Sequence, residues 1–203
     1  MSYMRPRPAL PSRFLPLAAG IVVFLAVLAS RAEAKSQPTY YFLVSEVKLA
    51  EGIPAEIAEI VRAELTQAIT KHARLIEALP ADAPDPAADP KAFTRYITKR
   101  KIRPFRVNVE VTQYNHKVTT SARGGQQLVV SVALRTFGET IPQRVMAFSG
   151  DGSATIKMDI GKELRPRDSR VANKDAVAQA IADALTMSLD RLDKAGTEKK
   201  RKK

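Results

Sequence analysis

The chain has 203 residues and a formal net charge of +12, with 33 Lys and Arg against 21 Asp and Glu. It has no cysteine, which excludes disulfides, thiolate metal sites, iron–sulfur clusters, a cysteine nucleophile and the lipid-bearing cysteine of a lipoprotein. Less an N-terminal leader, its length is that of one ordinary domain with a core large enough to fold without staples.

The leader is residues 1–34. Arg5, Arg7 and Arg13 precede an apolar run from Phe14 to Ala29, and Ser30-Arg31-Ala32-Glu33-Ala34 closes it. A charged start, an apolar middle and an A-x-A ending are the three parts of a secretory signal peptide. They predict an exported protein, periplasmic or secreted, cleaved near Ala34. The alternative is a retained signal anchor, but Pro16 and Gly20 interrupt the run and it falls short of the roughly 20 residues a spanning helix needs. No later segment is apolar enough to span a bilayer. Most of the basic excess lies beyond residue 34. Outside the cytoplasm such a charge meets anionic lipid, anionic polysaccharide or acidic protein faces rather than nucleic acid.

Tyr40 to Val47 is rich in aromatic and β-branched residues and nearly continuously apolar, which predicts a central strand covered on both faces. Gly52 and Pro54 announce a helix, on which Ile57, Ile60, Val61, Leu65, Ala68 and Ile69 recur at helical spacing. Arg74 to Leu79 reads as a short strand. Pro80 to Pro90 alternates proline with aspartate and can sustain neither helix nor strand. Lys91 to Lys101 reads as a short helix.

Phe105, Val107, Val109 and Val111 alternate with Arg106, Asn108, Glu110 and Thr112, the period-two pattern of a strand with one solvated face. Arg123-Gly124-Gly125 punctuates the chain. Gln127 to Phe137 is the next strand, with Leu128, Val130, Val132 and Leu134 inward, and Gly138-Glu139-Thr140 is read as its turn. Gln143 to Lys157 gives a further strand, with a bulge expected at Gly150-Asp151-Gly152. Gly161 to Arg170 reads as irregular, Asn173 or Asp175 as the cap of the last helix, and Gly196 as its stop. Val177, Ile181, Ala184, Leu185, Ser188, Leu189 and Leu192 line the buried side of that helix.

The expected fold is therefore α+β: a mixed sheet of four to five strands with an antiparallel meander, two long helices packed on one face, and one short helix. The expected division is a signal peptide at 1–34, a single domain at 35–196 and a disordered basic tail at 197–203.

This order and texture resemble a family of periplasmic α/β domains that includes the N-terminal domain of TolB, the curli secretion protein CsgG and the LpoB activator of peptidoglycan synthases. Three stretches carry the likeness: Phe42 to Ile69; the meander from Val107 to Val111 and Leu128 to Phe137 through Phe148 to Ile156; and the alanine-rich helix from Ala176 to Leu192. The resemblance implies the fold and a role in envelope protein contacts. The chain shows no counterpart of the anchoring cysteine, of the membrane-spanning insertions of CsgG or of the propeller of TolB. Pore formation and enzyme activation are therefore not carried over.

No catalytic constellation is visible. His72 and His116 have no acidic or histidine neighbour at ligand spacing, and Asp82, Asp85 and Asp89 lack the alternating ligands and glycine of a calcium loop. No metal and no cofactor is expected. The functional candidate is a basic stretch: Lys91, Arg95, Lys99, Arg100, Lys101, Arg103 and Arg106, followed by Lys117 and interleaved with Tyr96, Phe105 and Tyr114. Lys91, Arg95 and Lys99 share a helix face, and arginine offers a forked contact to phosphate or carboxylate. The bland alternative is a solvated helix. The basic C-terminal tail reads either as a solvated end or as a tether to an anionic surface. Three functions follow. The first is a non-enzymatic envelope module that binds a protein through the polar sheet face around Arg106, Asn108 and Glu110 or through the basic helix. The second is a binder of an anionic lipid or polysaccharide. A hydrolase of unrecognised type is the third.

Overall fold

The chain divides into two units, Met1–Gln37 and Pro38–Lys203. The computed structural model describes residues 39–121 and 124–201, with side chains to residue 195. The signal-peptide reading of 1–34 lies outside the described residues.

The second unit is an α+β fold built on one five-stranded mixed sheet. Its strands are β1 (Thr39–Leu49), β2 (Leu75–Ile76), β3 (Ile102–Thr120), β4 (Gln126–Thr140) and β5 (Met146–Ile160), in the order β2-β1-β3-β4-β5. β1 runs parallel to β2 and β3, and β3, β4 and β5 form the antiparallel meander. Helices α1 (Glu56–Lys71) and α3 (Pro166–Arg201) contact each other and bury their apolar stripes in the same core as the strands. The short helix α2 (Pro90–Arg100) packs on β3 and touches neither long helix. No helix among the described residues is long and apolar enough to cross a membrane.

The predicted stripes are the ones buried. Ile57, Val61, Leu65 and Ile69 of α1, the alternating Phe105, Val107, Val109 and Val111 of β3, and Leu128, Val130, Val132 and Leu134 of β4 meet Val177, Ile181, Ala184, Leu185, Leu189 and Leu192 of α3. Phe42, Phe105 and Phe148 fill the middle, with Phe148 centred 5.4 Å from each of the other two rings. Because strand side chains alternate, burying this set turns Arg106, Asn108 and Glu110 to the opposite face.

Several local expectations are corrected. β1 is central in order but covered on one face only, since Leu43 is 38% exposed while Phe42 is buried. β2 has two residues, and β3 extends to Thr120 after a register shift between Val111 and Gln113. That shift reverses the alternation, so Tyr114 and His116 return to the helical side. There Tyr114 donates to Asn173 Oδ1 at 3.0 Å, and His116 Nε2 lies 3.2 Å from Ser169 Oγ. Asn173 is therefore a buried bond acceptor inside α3, which begins at Pro166, and not a cap. α3 also passes Gly196 and stays helical to Arg201, inside the stretch read as a disordered tail.

The glycines act differently from their sequence reading. Gly138 lies within β4, and a Cβ there would sit 2.1 Å from the Phe148 ring. The turn itself follows Thr140. Pairing runs unbroken through Gly150 and Gly152, and the irregularity falls at Gly138 and Glu139 instead. At Gly152 an added Cβ would stand 1.9 Å from the Ala180 carbonyl oxygen. This glycine lets α3 lie directly against β5.

Candidate functional site: the basic corner of the open sheet face

On the face away from the long helices, cross-strand neighbours form rows. Lys48, Glu110, Arg135 and Asp151 stand side by side across β1, β3, β4 and β5. Their charges alternate, and Arg135 Nε donates to Asp151 Oδ1 at 2.8 Å. Asn108 stands next to Phe137 and Phe137 next to Ser149; in the row beyond, Leu43, Arg106, Glu139 and Met146 line up. Leu43 is 38% and Met146 60% exposed. A shallow pocket lined by Glu110, Arg135, Phe137, Met146, Ser149, Asp151 and Arg191 lies toward β5. Its cations are matched: Arg191 reaches the sheet edge from α3 and donates to the Ser149 carbonyl and hydroxyl.

The seven predicted basic residues do not form one site. Lys91, Arg95, Lys99 and Arg100 lie exposed on α2, whose N-terminus is capped by Asp89 Oδ1 accepting from Ala92 N–H at 2.8 Å. Arg100 is spoken for. It donates to Asp82 Oδ2 at 2.7 Å and lies over the Tyr96 ring. The Tyr96 hydroxyl, and after it Arg100, hold the Asp82 carboxyl below its ordinary pKa. Lys101 is the left-handed C-cap of α2. Arg103 turns to the core side, 5.5 Å from the centre of the Tyr40 ring and 5.7 Å from that of Phe105. There it adds to the field around Asp193, whose main partner is Arg74. Asp85 and Asp89 are engaged with the backbone N–H groups of Ala87 and Ala92.

Arg106 meets a residue the sequence reading passed over, and Lys91 and Arg95 line an adjoining pocket. A pocket of about 140 Å³ is lined by Pro86, Ala87, Arg106, Thr140, Ile141, Pro142 and Arg144. A wider surface pocket shares Pro142 and is lined by Lys91, Thr94, Arg95 and Gln143. Neither lining contains a carboxylate. Arg144 sits on the β4–β5 turn with φ 57°, a left-handed conformation uncommon outside glycine. The turn is tied by Arg144 N–H to the Thr140 carbonyl at 2.8 Å, Thr140 N–H to the Val145 carbonyl at 2.9 Å, and Ile141 N–H to the Pro104 carbonyl at 3.3 Å. Nothing in the order of residues signals Arg144, because its meeting with Arg106 depends on how the meander folds back.

No family model and no curated protein matches the sequence. Among solved structures, a Xanthomonas campestris protein of family DUF330 covers 78% of this chain and 90% of its own length, with TM-score 0.49 and 9% identity. A candidate lipoprotein from Caulobacter crescentus covers 77% and 91%, with TM-score 0.43 and 10% identity. A minor lipoprotein from Acinetobacter baumannii covers 74% and 92%, with TM-score 0.38 and 8% identity. Likeness at this level carries no argument about activity.

Proposed function

We propose that this chain is a non-catalytic accessory module of the cell envelope, and that it works by docking a protein partner on the open sheet face around Arg106, Asn108 and Glu110. The leader reading of residues 1–34 supports export, and the resemblance to the TolB, CsgG and LpoB domains supports a role in protein contacts.

One observation carries the reading. The open face sets exposed apolar side chains, Leu43 and Met146, with half-buried Phe137 among rows of alternating charge. Aromatic, Met and Arg side chains amid hydrogen-bonding groups are the composition of a specific contact surface. The Arg135–Asp151 pair holds part of that surface in place in advance, which lowers the ordering cost of association.

Affinity capture from envelope extracts tests it. Leu43→Asp and Met146→Asp alter exposed positions and leave the core intact. A protein held by the wild-type chain is expected to be lost with both variants. Equal capture by all three contradicts docking on this face.

A further inference from the structure

We propose that the pocket between Arg106 and Arg144 binds a phosphate-bearing ligand. Among the described residues three arginines are half-buried: Arg74, Arg103 and Arg106. Arg74 makes two bonds to the Asp193 carboxylate. Arg103 lies over two aromatic rings and within the field of the same carboxylate. Arg106 has neither. Its cross-strand neighbour Glu139 forms no ion pair with it. The Arg106 guanidinium lines the pocket without a protein partner among the described residues, so its forked donors are available to an anion from solution.

The pocket is built to complete that pairing. Arg144 brings a second forked cation to the same pocket, on a turn held in place by Thr140. The Thr140 hydroxyl lines the same pocket. It accepts from Val145 N–H at 3.2 Å, which leaves its own hydrogen free to donate. Two guanidinium groups and a hydroxyl match the oxygens of a tetrahedral anion. A volume of about 140 Å³ leaves ample room for a phosphate group, since about 10–15 Å³ suffices for a water. The rest of the ligand leaves past Pro142 over the surface lined by Lys91 and Arg95, where further negative charge is favoured. The neighbouring pocket at Arg135 is the contrast: there Asp151 and Glu110 already neutralise the cation.

The proposal concerns a small ligand and does not rest on the protein-docking reading, so either can fail alone. The processed chain, which starts near Lys35, is titrated with inorganic phosphate in chloride buffer and followed by NMR, and is co-sedimented with phosphatidylcholine vesicles with and without phosphatidylglycerol. Arg106→Gln with Arg144→Gln is expected to weaken phosphate binding by about tenfold or more. Arg62→Gln, on the exposed side of α1, is expected to leave it unchanged. Arg144→Gln alone alters only an exposed turn, so its loss of binding stands if the Arg106 variant folds poorly. Parallel loss of vesicle binding identifies a lipid headgroup; phosphate binding without vesicle binding identifies a soluble phosphate ester. Absence of phosphate binding, or equal binding by the wild type and Arg144→Gln, overturns the proposal.

Discussion

Asp193 joins three distant parts of the chain. It accepts from Arg74 Nη1 at 2.9 Å, from Arg74 Nη2 at 2.6 Å and from the Tyr40 hydroxyl at 3.0 Å. The Arg74 bonds, and after burial's opposing effect the Tyr40 bond, hold its carboxyl below the ordinary value. A carboxyl with a depressed folded pKa stabilises the fold above its unfolded pKa, and that contribution is lost as pH falls through the folded one. Asp193→Asn is therefore expected to cost about 1 kcal/mol at pH 7, a modest figure because the pair is partly exposed. Urea unfolding of variant and wild type should converge as pH drops below about 4, the unfolded carboxyl value. A gap that persists unchanged to pH 2 contradicts the assignment. None of this was legible beforehand. Tyr40 and Arg74 each read as the start of a strand and Asp193 drew no reading, because each partner is far away in sequence.

At the level of elements, periodicity was a sound guide and glycine was not. The stripes of α1 and α3 and the alternation in β3 and β4 record burial against a face, so the residues alone disclose them. Gly138, Gly150 and Gly152 record close approach by elements elsewhere in the chain. In the sequence that is indistinguishable from a turn or a bulge. The consequence is measurable. Gly152→Ala drives a Cβ to 1.9 Å from the Ala180 carbonyl oxygen and 2.8 Å from the Ala184 nitrogen. The helix must then lift off β5, at a cost of about 2–3 kcal/mol. Gly161→Ala meets nothing within 4 Å and should fall within about 0.5 kcal/mol of the wild type. Equal unfolding midpoints for the two variants would show that α3 does not seat on Gly152. The basic stretch failed as a unit for a related reason. Helical spacing grouped Lys91 with Arg95, but Arg100 is drawn to Asp82, Arg103 turns to the core side, and Arg144 arrives on the β4–β5 turn.

For the molecule as a whole, the two faces of the sheet are put to different uses. One is sealed by α1 and α3 around a continuous apolar core. The other keeps its charges in rows, leaves Leu43 and Met146 exposed, and carries unneutralised arginines at one corner. The order of strands and helices, and hence which side chains share a face, could be read from the sequence. Which positions on that face stay open could not, because it depends on where the 80–90 loop and α2 come to rest. The central claim is that this open face is where the protein meets its partner. Site-specific photo-crosslinking in intact cells tests it most directly, with the crosslinker at Asn108 on the open face or at Arg62 on α1. The account predicts a discrete protein adduct from Asn108 and none from Arg62. The same adduct from both positions, or an adduct from Arg62 alone, would contradict it.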